Sequence, residues 1–194
     1  VSDFFNPYPS IDASTMNAYF YPNRTKNNNI GVQSNAVQSP TILNPKTSYT
    51  EKQNTLEIPK ISISTPIIFA TSTDKAIVTK QLNSGVVYYP GSVSPGQQGQ
   101  IIILGHSAPP GWPKVRHDWV FTDLDELTFG DIILINFNNK QYTYTVKQKT
   151  IIQRGAEVPS DSLSANNNIL TLISCWPPGK DYQRIVVESE LVTN

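Results

Sequence analysis

Near its carboxyl end the chain runs Ile169-Leu170-Thr171-Leu172-Ile173-Ser174-Cys175, followed at once by Trp176-Pro177-Pro178-Gly179. The first segment is apolar, β-branched and of strand length, and the prolines and glycine after it end the strand sharply. The strand therefore brings Cys175, the single cysteine of the chain, to its carboxyl end. A second apolar run opens with Arg184. A cysteine at a strand end with a cation within reach is the arrangement that a thiolate nucleophile needs.

Cys175 nevertheless has two interpretations. A buried cysteine commonly acts as a small hydrophobic residue without a chemical role. Its position beside Trp176 and a Pro-Pro-Gly loop, rather than in the middle of a strand, favours the nucleophile.

Either of the two histidines could be the partner of such a thiol. His106 follows the apolar run at residues 100–104, so it too lies at a strand end. His117 lies in a polar loop between two charged residues, where we expect it to face solvent. An isolated histidine is more often a surface or structural residue than a catalyst. The shared strand-end position makes His106 the predicted partner of Cys175.

Arg184 is open to two interpretations as well. It could be an arginine at the sheet rim that pairs with an acid such as Asp181. Alternatively, its fixed positive charge could hold a substrate carbonyl or a developing oxyanion.

No metal site is predicted. One cysteine and two histidines lack the usual zinc spacing, and no pair of acids lies beside them. We expect the scattered acids Asp118, Asp123, Asp125 and Glu157 to be solvated rather than to bind calcium. The glycines at 91, 96 and 99 precede no helix, so they do not form a phosphate-binding loop.

Composition favours one β-rich domain with an extension. The chain has 194 residues, 15 prolines, nine tyrosines and only 15% charged residues. Fifteen basic and fifteen acidic residues cancel, which argues against a surface for nucleic acid or acidic membranes. No apolar run approaches the roughly 20 residues of a transmembrane helix. The start at Val1 suggests a trimmed ectodomain with its anchor upstream.

Residues 1–50 form the predicted extension. They are rich in asparagine and proline and bury too little apolar surface to offset their ordering entropy, so a linker is expected, with a short helix over residues 10–19. Phe4-Phe5-Asn6-Pro7-Tyr8 gathers three aromatic side chains, which are costly to leave in water. This piece is therefore a candidate for docking on the domain.

Residues 51–194 form the predicted domain. Apolar patterning predicts strands at residues 56–63, 67–69, 86–89, 100–104, 131–137, 141–152, 169–175 and 184–192, and one helix at 73–83. Asn138-Asn139-Lys140 predicts a hairpin. About eight short strands with little helix favour a closed β-barrel or a sandwich.

Several of these segments, in this order, resemble the sortases. They are Leu56–Pro59, Leu104-Gly105-His106, Phe121–Leu127, Thr171–Cys175 and Arg184, and together they cover almost all of the β-rich part. Ser174 stands where the family commonly has Thr, and Ser107 where several pilus-type members have Arg. The spacing from Cys175 to Arg184 looks most like that of pilus-building, class C-like sortases.

The resemblance implies a mainly β fold, a closed eight-stranded barrel with one or two short helices, and a cysteine transpeptidase activity. Cys175 would attack the Thr–Gly bond of a sorting signal similar to Leu-Pro-X-Thr-Gly and form a thioacyl enzyme. His106 would protonate the leaving amine and deprotonate the incoming one, a role typically worth roughly 10²–10⁴-fold in rate. Arg184 would orient the substrate and stabilise the oxyanion, with Ser174 and Trp176 as substrate-binding candidates.

The partners implied are proteins with a carboxyl-terminal sorting signal and an amine acceptor, either a cell-wall precursor or a pilin lysine. No cofactor and no nucleic acid are implied. The expected location is the extracytoplasmic face of the cell membrane. Pilus-type members often carry an amino-terminal lid with an Asp-Pro-aromatic motif, and Asn6-Pro7-Tyr8 is similar to it, so Pro7 and Tyr8 are lid candidates.

Two other functions remain open. The chain could be a non-catalytic, wall-associated β-barrel that binds peptides or glycans, with Cys175 a buried remnant. It could also be a hydrolase that releases its substrate instead of joining it to an amine.

Overall fold

The computed structural model describes residues 44–156 and 168–194. In that part of the chain the strands are β1 (Thr47–Tyr49), β2 (Thr55–Ile58), β3 (Ile63–Phe69), β4 (Val86–Tyr88), β5 (Gly99–Leu104), β6 (Ile132–Phe137), β7 (Lys140–Gln153), β8 (Asn168–Trp176) and β9 (Gln183–Leu191). One helix, α1 (Lys75–Leu82), and two 3-10 turns, Pro59–Ile61 and Leu124–Glu126, accompany them. The mainly β fold predicted from the sequence is confirmed.

Eight of these strands close into a barrel. Hydrogen-bonded neighbours follow the order β7-β6-β2-β3-β4-β5-β8-β9, and β9 pairs back onto β7. With 14 residues, β7 is long enough to pair with β6 over its first part and with β9 over the rest, across a register shift at Val146/Gln148. β1 lies outside the ring and pairs with the start of β7. The predicted closed eight-stranded barrel is therefore confirmed.

The core has two layers because strand side chains alternate between the two faces. Leu170 and Leu172 of β8 belong to the large cluster that fills the barrel. Ile173 and Cys175 point to the other face and join a second cluster with Val78 of α1. Cys175 thus lies at the edge of an apolar layer between the barrel wall and the helix.

Three strand ends meet at one end of the barrel, called here the Cys175 end. β5 runs parallel to β8, with Leu104 opposite Ile173. β9 returns antiparallel from the loop at residues 177–182, with Arg184 opposite Cys175. Two strands therefore finish at this end and a third begins there.

The strand predicted at residues 56–63 is wrong in its extent. Pro59 starts a 3-10 turn, and Ser62 adopts a left-handed conformation with φ of 54°. The chain reverses there, so β2 and β3 form a hairpin with Ile58 opposite Ile63. The short strand predicted at 67–69 is the end of β3.

The other local predictions need only small changes. The helix predicted at 73–83 begins later, because Asp74 caps α1, and its Oδ1 accepts hydrogen bonds from the amides of Ala76 and Ile77 at 2.9 and 3.1 Å. The predicted hairpin is confirmed: the turn residues Asn138 and Asn139 both have positive φ, as a type I′ turn requires.

Several predictions lie outside the described residues. They are the lid candidates Pro7 and Tyr8 and the helix at 10–19. The division of the chain at residue 50 stays a prediction. In the described part, no helix is long and apolar enough to cross a membrane.

Candidate active site

Cys175 and Arg184 are direct cross-strand partners near the loop that joins β8 to β9. Opposite residues in an antiparallel pair have Cβ atoms roughly 4.5–5.5 Å apart. Both side chains are almost fully buried, with 2% of Cys175 and 1% of Arg184 exposed. The hairpin therefore fixes a thiol and a permanent cation side by side.

His106 is placed beside them by hydrogen bonds between the loop after β5 and β8. The Gly105 amide donates to the Ile173 carbonyl at 3.1 Å, which continues the parallel register by one residue. The Ser174 hydroxyl donates to the Gly105 carbonyl and the Ser107 hydroxyl to the Cys175 carbonyl, each at 2.8 Å. These bonds bracket His106 and hold it at the level of Cys175.

Glycine at position 105 is required by space. A Cβ added there would overlap the ring of Phe121, which is itself buried. The Phe121 amide also donates to the His106 carbonyl at 2.9 Å. The backbone of His106 is thus fixed on both sides.

A carboxylate completes the cluster. Asp181 Oδ1 lies 2.6 Å from Arg184 Nη2 and 3.9 Å from Cys175 Sγ, and Oδ2 lies 2.9 Å from Arg154 Nη1. The pairing of Arg184 with Asp181 that the sequence left open therefore exists, inside the same cluster as the thiol.

The resting protonation state follows from burial. Burial raises the pKa of the Cys175 thiol to about 11; Arg184 opposes this increase and Asp181 adds to it. Burial also lowers the pKa of His106, and the negative charge of Asp118 opposes that decrease. At neutral pH the stable pair is a thiol and a neutral imidazole.

One expectation about the loop after β5 is wrong. Asp118 is only 4% exposed instead of solvated, and its Oδ1 is buried with no hydrogen-bond partner among the described residues. His117 is partly exposed, with Nδ1 3.5 Å from the Asn83 carbonyl oxygen. The loop folds back onto the barrel, which its irregular sequence did not predict.

Ser174 and Trp176 have different environments. Ser174 is fully buried and its hydroxyl donates to Gly105, so it supports the loop that carries His106. Trp176 is partly buried and lines a cleft of about 500 Å³ with the other two tryptophans, Trp112 and Trp119. The cleft also contacts Ala108, two residues beyond His106.

Within the described residues no group of three or more His, Cys, Asp or Glu side chains could hold a metal ion. Asp123 and Asp125 are exposed, as expected for solvated acids. Glu157 lies outside the described part.

Sequence reasoning missed Asp118 and Arg154. Arg154 has no local signal, because it approaches Asp181 only when β7 pairs with β9, with Gln153 opposite Gln183. A partial signal for Asp118 is its position next to Trp119 and Val120 in the approach to the buried Phe121.

Comparison with known proteins gives one family and a number of similar relatives. The family model for the sortase domain matches residues 56–192. Sortase D of Bacillus subtilis is 28% identical over 141 residues, which are 71% of this chain and 63% of that protein. The chain thus matches less than two thirds of that relative's length.

Two of the solved structures similar to this chain are class C sortases. Sortase C-1 of Actinomyces oris is 25% identical with a TM-score of 0.57, and the match covers 72% of this chain and 73% of that one. Sortase C1 of Streptococcus agalactiae is 29% identical with a TM-score of 0.56, over 73% and 67%. The family match runs from β2 to just past β9 and agrees with the barrel and its strand ends, so the chain belongs to the sortase family.

Proposed function

We propose that this protein is a sortase-type cysteine transpeptidase with Cys175 as nucleophile, His106 as general acid and base, and Arg184 as the oxyanion-stabilising cation. The observation that supports this most is the strand register, which places Cys175 opposite Arg184 and brackets His106 beside them. The sortase family has a general transpeptidase role, which agrees with this assignment.

The first half of the reaction starts from the neutral pair. The Cys175 proton moves to His106, and Sγ attacks the carbonyl carbon of the Thr–Gly bond in the sorting signal. The carbonyl oxygen becomes an oxyanion, which the Arg184 guanidinium stabilises. His106 then gives its proton to the glycine nitrogen, the C–N bond breaks, and a thioester joins Cys175 to the threonine.

The second half reverses these roles. An amine attacks the thioester carbonyl and loses its proton to His106, the C–S bond breaks, and the leaving sulfur takes this proton from His106 to restore the thiol. Because Cys175 and His106 are both neutral at rest, the reactive ion pair forms by proton transfer from Cys175 to His106 during the reaction. Burial of the thiol thereby limits reactions with other electrophiles.

The family and the structural relatives support a proposal for the substrate class. We propose that the substrates are cell-surface proteins with a Leu-Pro-X-Thr-Gly-like signal and that the acceptor is a cell-wall amine or a pilin lysine, at the extracytoplasmic face. Two solved relatives are class C sortases, which favours a pilin, whereas the sequence relative is a sortase D. We propose no cofactor for this chemistry.

The experiment uses quenched-fluorescent peptides of Leu-Pro-X-Thr-Gly type, with and without an amine acceptor. We expect cleavage by the protein, a joined product when the amine is present, and no cleavage by Cys175→Ala. Mass spectrometry should show the acyl fragment on Cys175. Cleavage by Cys175→Ala would overturn the assignment, and cleavage with no joined product for any amine would indicate a hydrolase.

A second candidate is a non-catalytic binding barrel. It is favoured by one observation, the nearly complete burial of a thiol whose pKa is raised to about 11. Iodoacetamide distinguishes the two candidates. A nucleophile that depends on His106 should be alkylated more slowly in His106→Ala near neutral pH, whereas a buried remnant should not respond to that change.

A further inference from the structure

The Asp181 carboxylate occupies the space between the thiol and two guanidinium groups. Its Oδ1 contacts both Arg184 Nη2, at 2.6 Å, and Cys175 Sγ, at 3.9 Å. Its Oδ2 lies 2.9 Å from Arg154 Nη1. One oxygen of Asp181 therefore touches the proposed nucleophile and the proposed oxyanion cation at once.

The strand register fixes this arrangement. Gln153, the last residue of β7, is opposite Gln183, the first residue of β9. Arg154 follows the first of these and Asp181 lies two residues before the second, so they meet at the rim of the barrel. Arg154 is 39% exposed, whereas the Asp181 side chain is 16% exposed and Arg184 is buried. Asp181 thus has a solvent-side partner and a buried partner.

The buried partner is incompletely bonded. Arg184 Nη1 donates to the Gln183 carbonyl at 2.8 Å. Nε and Nη2 have no hydrogen-bond acceptor among the described residues, although Nη2 lies within ion-pair distance of Asp181. The contact with Asp181 is therefore an ion pair without hydrogen-bond geometry. Nε and Nη2 of the guanidinium can still donate hydrogen bonds to an oxygen in a better position.

The carbonyl oxygen of a bound substrate must lie close to both Cys175 Sγ and the Arg184 guanidinium, which is the position of Asp181 Oδ1. We propose that Asp181 is a built-in competitor for that position: it covers Arg184 and Cys175 in the free protein and moves out, held by Arg154, when the substrate enters. This inference rests on the proposed function, because it concerns the site that a sorting signal would occupy.

Arg154 can hold the Asp181 carboxylate after it leaves Arg184. Withdrawal toward the exposed guanidinium keeps one ion pair for the carboxylate, so the movement does not leave an unpaired charge in the apolar rim. The charged and titratable groups that act on the thiol and its partners are Asp181 and Arg154 from the loops, Arg184 from β9, and His106 with Asp118 from the loop after β5.

The test compares Asp181→Asn, Arg154→Gln and Glu51→Gln with the unchanged protein. Glu51 is an exposed acid next to Thr50, whose amide donates a hydrogen bond to the Asn139 carbonyl at the opposite end of the barrel. Replacement of Glu51 therefore removes a negative charge far from the site. The measurements are the rate of alkylation of Cys175 by iodoacetamide from pH 7 to 11, the KM for the peptide, and the melting temperature.

Asp181→Asn removes a charge that raises the thiol pKa and a group that competes with the substrate. We expect alkylation at pH 7 to be faster by about tenfold, the change for one pKa unit, and KM to fall. Arg154→Gln leaves Asp181 with Arg184 alone, so alkylation should slow and KM should rise. Glu51→Gln should match the unchanged protein in all three measurements.

Opposite effects of the two variants separate competition from a structural role, because simple loosening of the rim would speed alkylation in both and lower both melting temperatures. Equal acceleration in both variants, or an unchanged rate in Asp181→Asn, would overturn the proposal. If Asp181→Asn does not fold, Arg154→Gln still tests the proposal: slower alkylation of Cys175 supports it and faster alkylation contradicts it. Expected alkylation rates without peptide cleavage by any variant would contradict the proposed function while supporting the role of Asp181 over the thiol.

Discussion

Cys175 and His106 are both most stable without charge, because each is buried and burial penalises the charged form. Nearby charges partly offset this: Arg184 favours the thiolate and Asp118 favours the imidazolium. Asp118 and Arg184 therefore stabilise the two halves of the ion pair that forms when the thiol proton moves to His106. An acid behind the histidine acts on the chemistry without contacting the substrate.

Replacement of Asp118 by asparagine tests this role at the residue scale. The change removes a negative charge that raises the pKa of His106, so we expect that pKa to fall further. Less imidazolium then forms, so kcat should fall with little change in KM, and His106 should titrate at lower pH by NMR.

Asp123→Asn is the matched control, since Asp123 is an exposed acid in the same loop. It should leave the His106 titration and kcat unchanged. An unshifted His106 in Asp118→Asn, or a loss of kcat confined to a lower melting temperature, would mean that Asp118 is only structural.

At the scale of elements, two buried hydroxyls join the loop after β5 to β8. Ser174 donates from the strand to the loop and Ser107 from the loop to the strand. The next loop, at residues 177–182, packs on the same segment, because the Gly179 amide donates to the Ser107 carbonyl at 3.2 Å. The relative position of His106 and Cys175 therefore depends on bonds between elements as well as on strand pairing.

Ser174→Ala and Ser107→Ala each remove one of these bonds. We expect each variant to lose about 1–2 kcal/mol of unfolding free energy, because a buried carbonyl loses its donor. The kcat for peptide cleavage should fall more than KM changes, since His106 is less well positioned. Ser189→Ala is the control: this serine of β9 is equally buried, and its hydroxyl has no hydrogen-bond partner among the described residues. Equal effects of all three changes on stability and kcat would argue against a specific role for the two bonds.

Elements whose signal is local could be predicted from the sequence. The apolar run ending at Cys175, the run before His106 and the Asn138-Asn139 turn each depend on neighbouring residues, and all three agree with the structure. The break at Pro59 was missed because the apolar alternation continues through it. The burial of Asp118 and the pairing of Arg154 with Asp181 depend on contacts between distant segments, which no periodic pattern records.

At the scale of the whole molecule, the described chain begins far from the Cys175 end of the barrel. The Asn44 carbonyl accepts a hydrogen bond from the Asn194 amide, next to the part of β9 that pairs with Tyr144 of β7. From Tyr144 to Gln153, β7 extends for roughly 30 Å at about 3.3 Å per residue. A chain segment that reached from Asn44 to Cys175 would need about ten extended residues.

The 43 residues before Asn44 are long enough for this path, which makes the proposed lid at Pro7 and Tyr8 testable. If the segment covers the site, removing residues 1–43 should speed alkylation of Cys175 and lower the KM for the peptide, because a competing occupant has been removed. Tyr8→Ala in the full chain should give a smaller change in the same direction, since the backbone tether remains. Glu51→Gln should change neither quantity. Equal alkylation rates for the shortened and full chains would reject a lid, and the rim contact between Asp181 and Arg184 would then be the remaining candidate for control of access to the thiol.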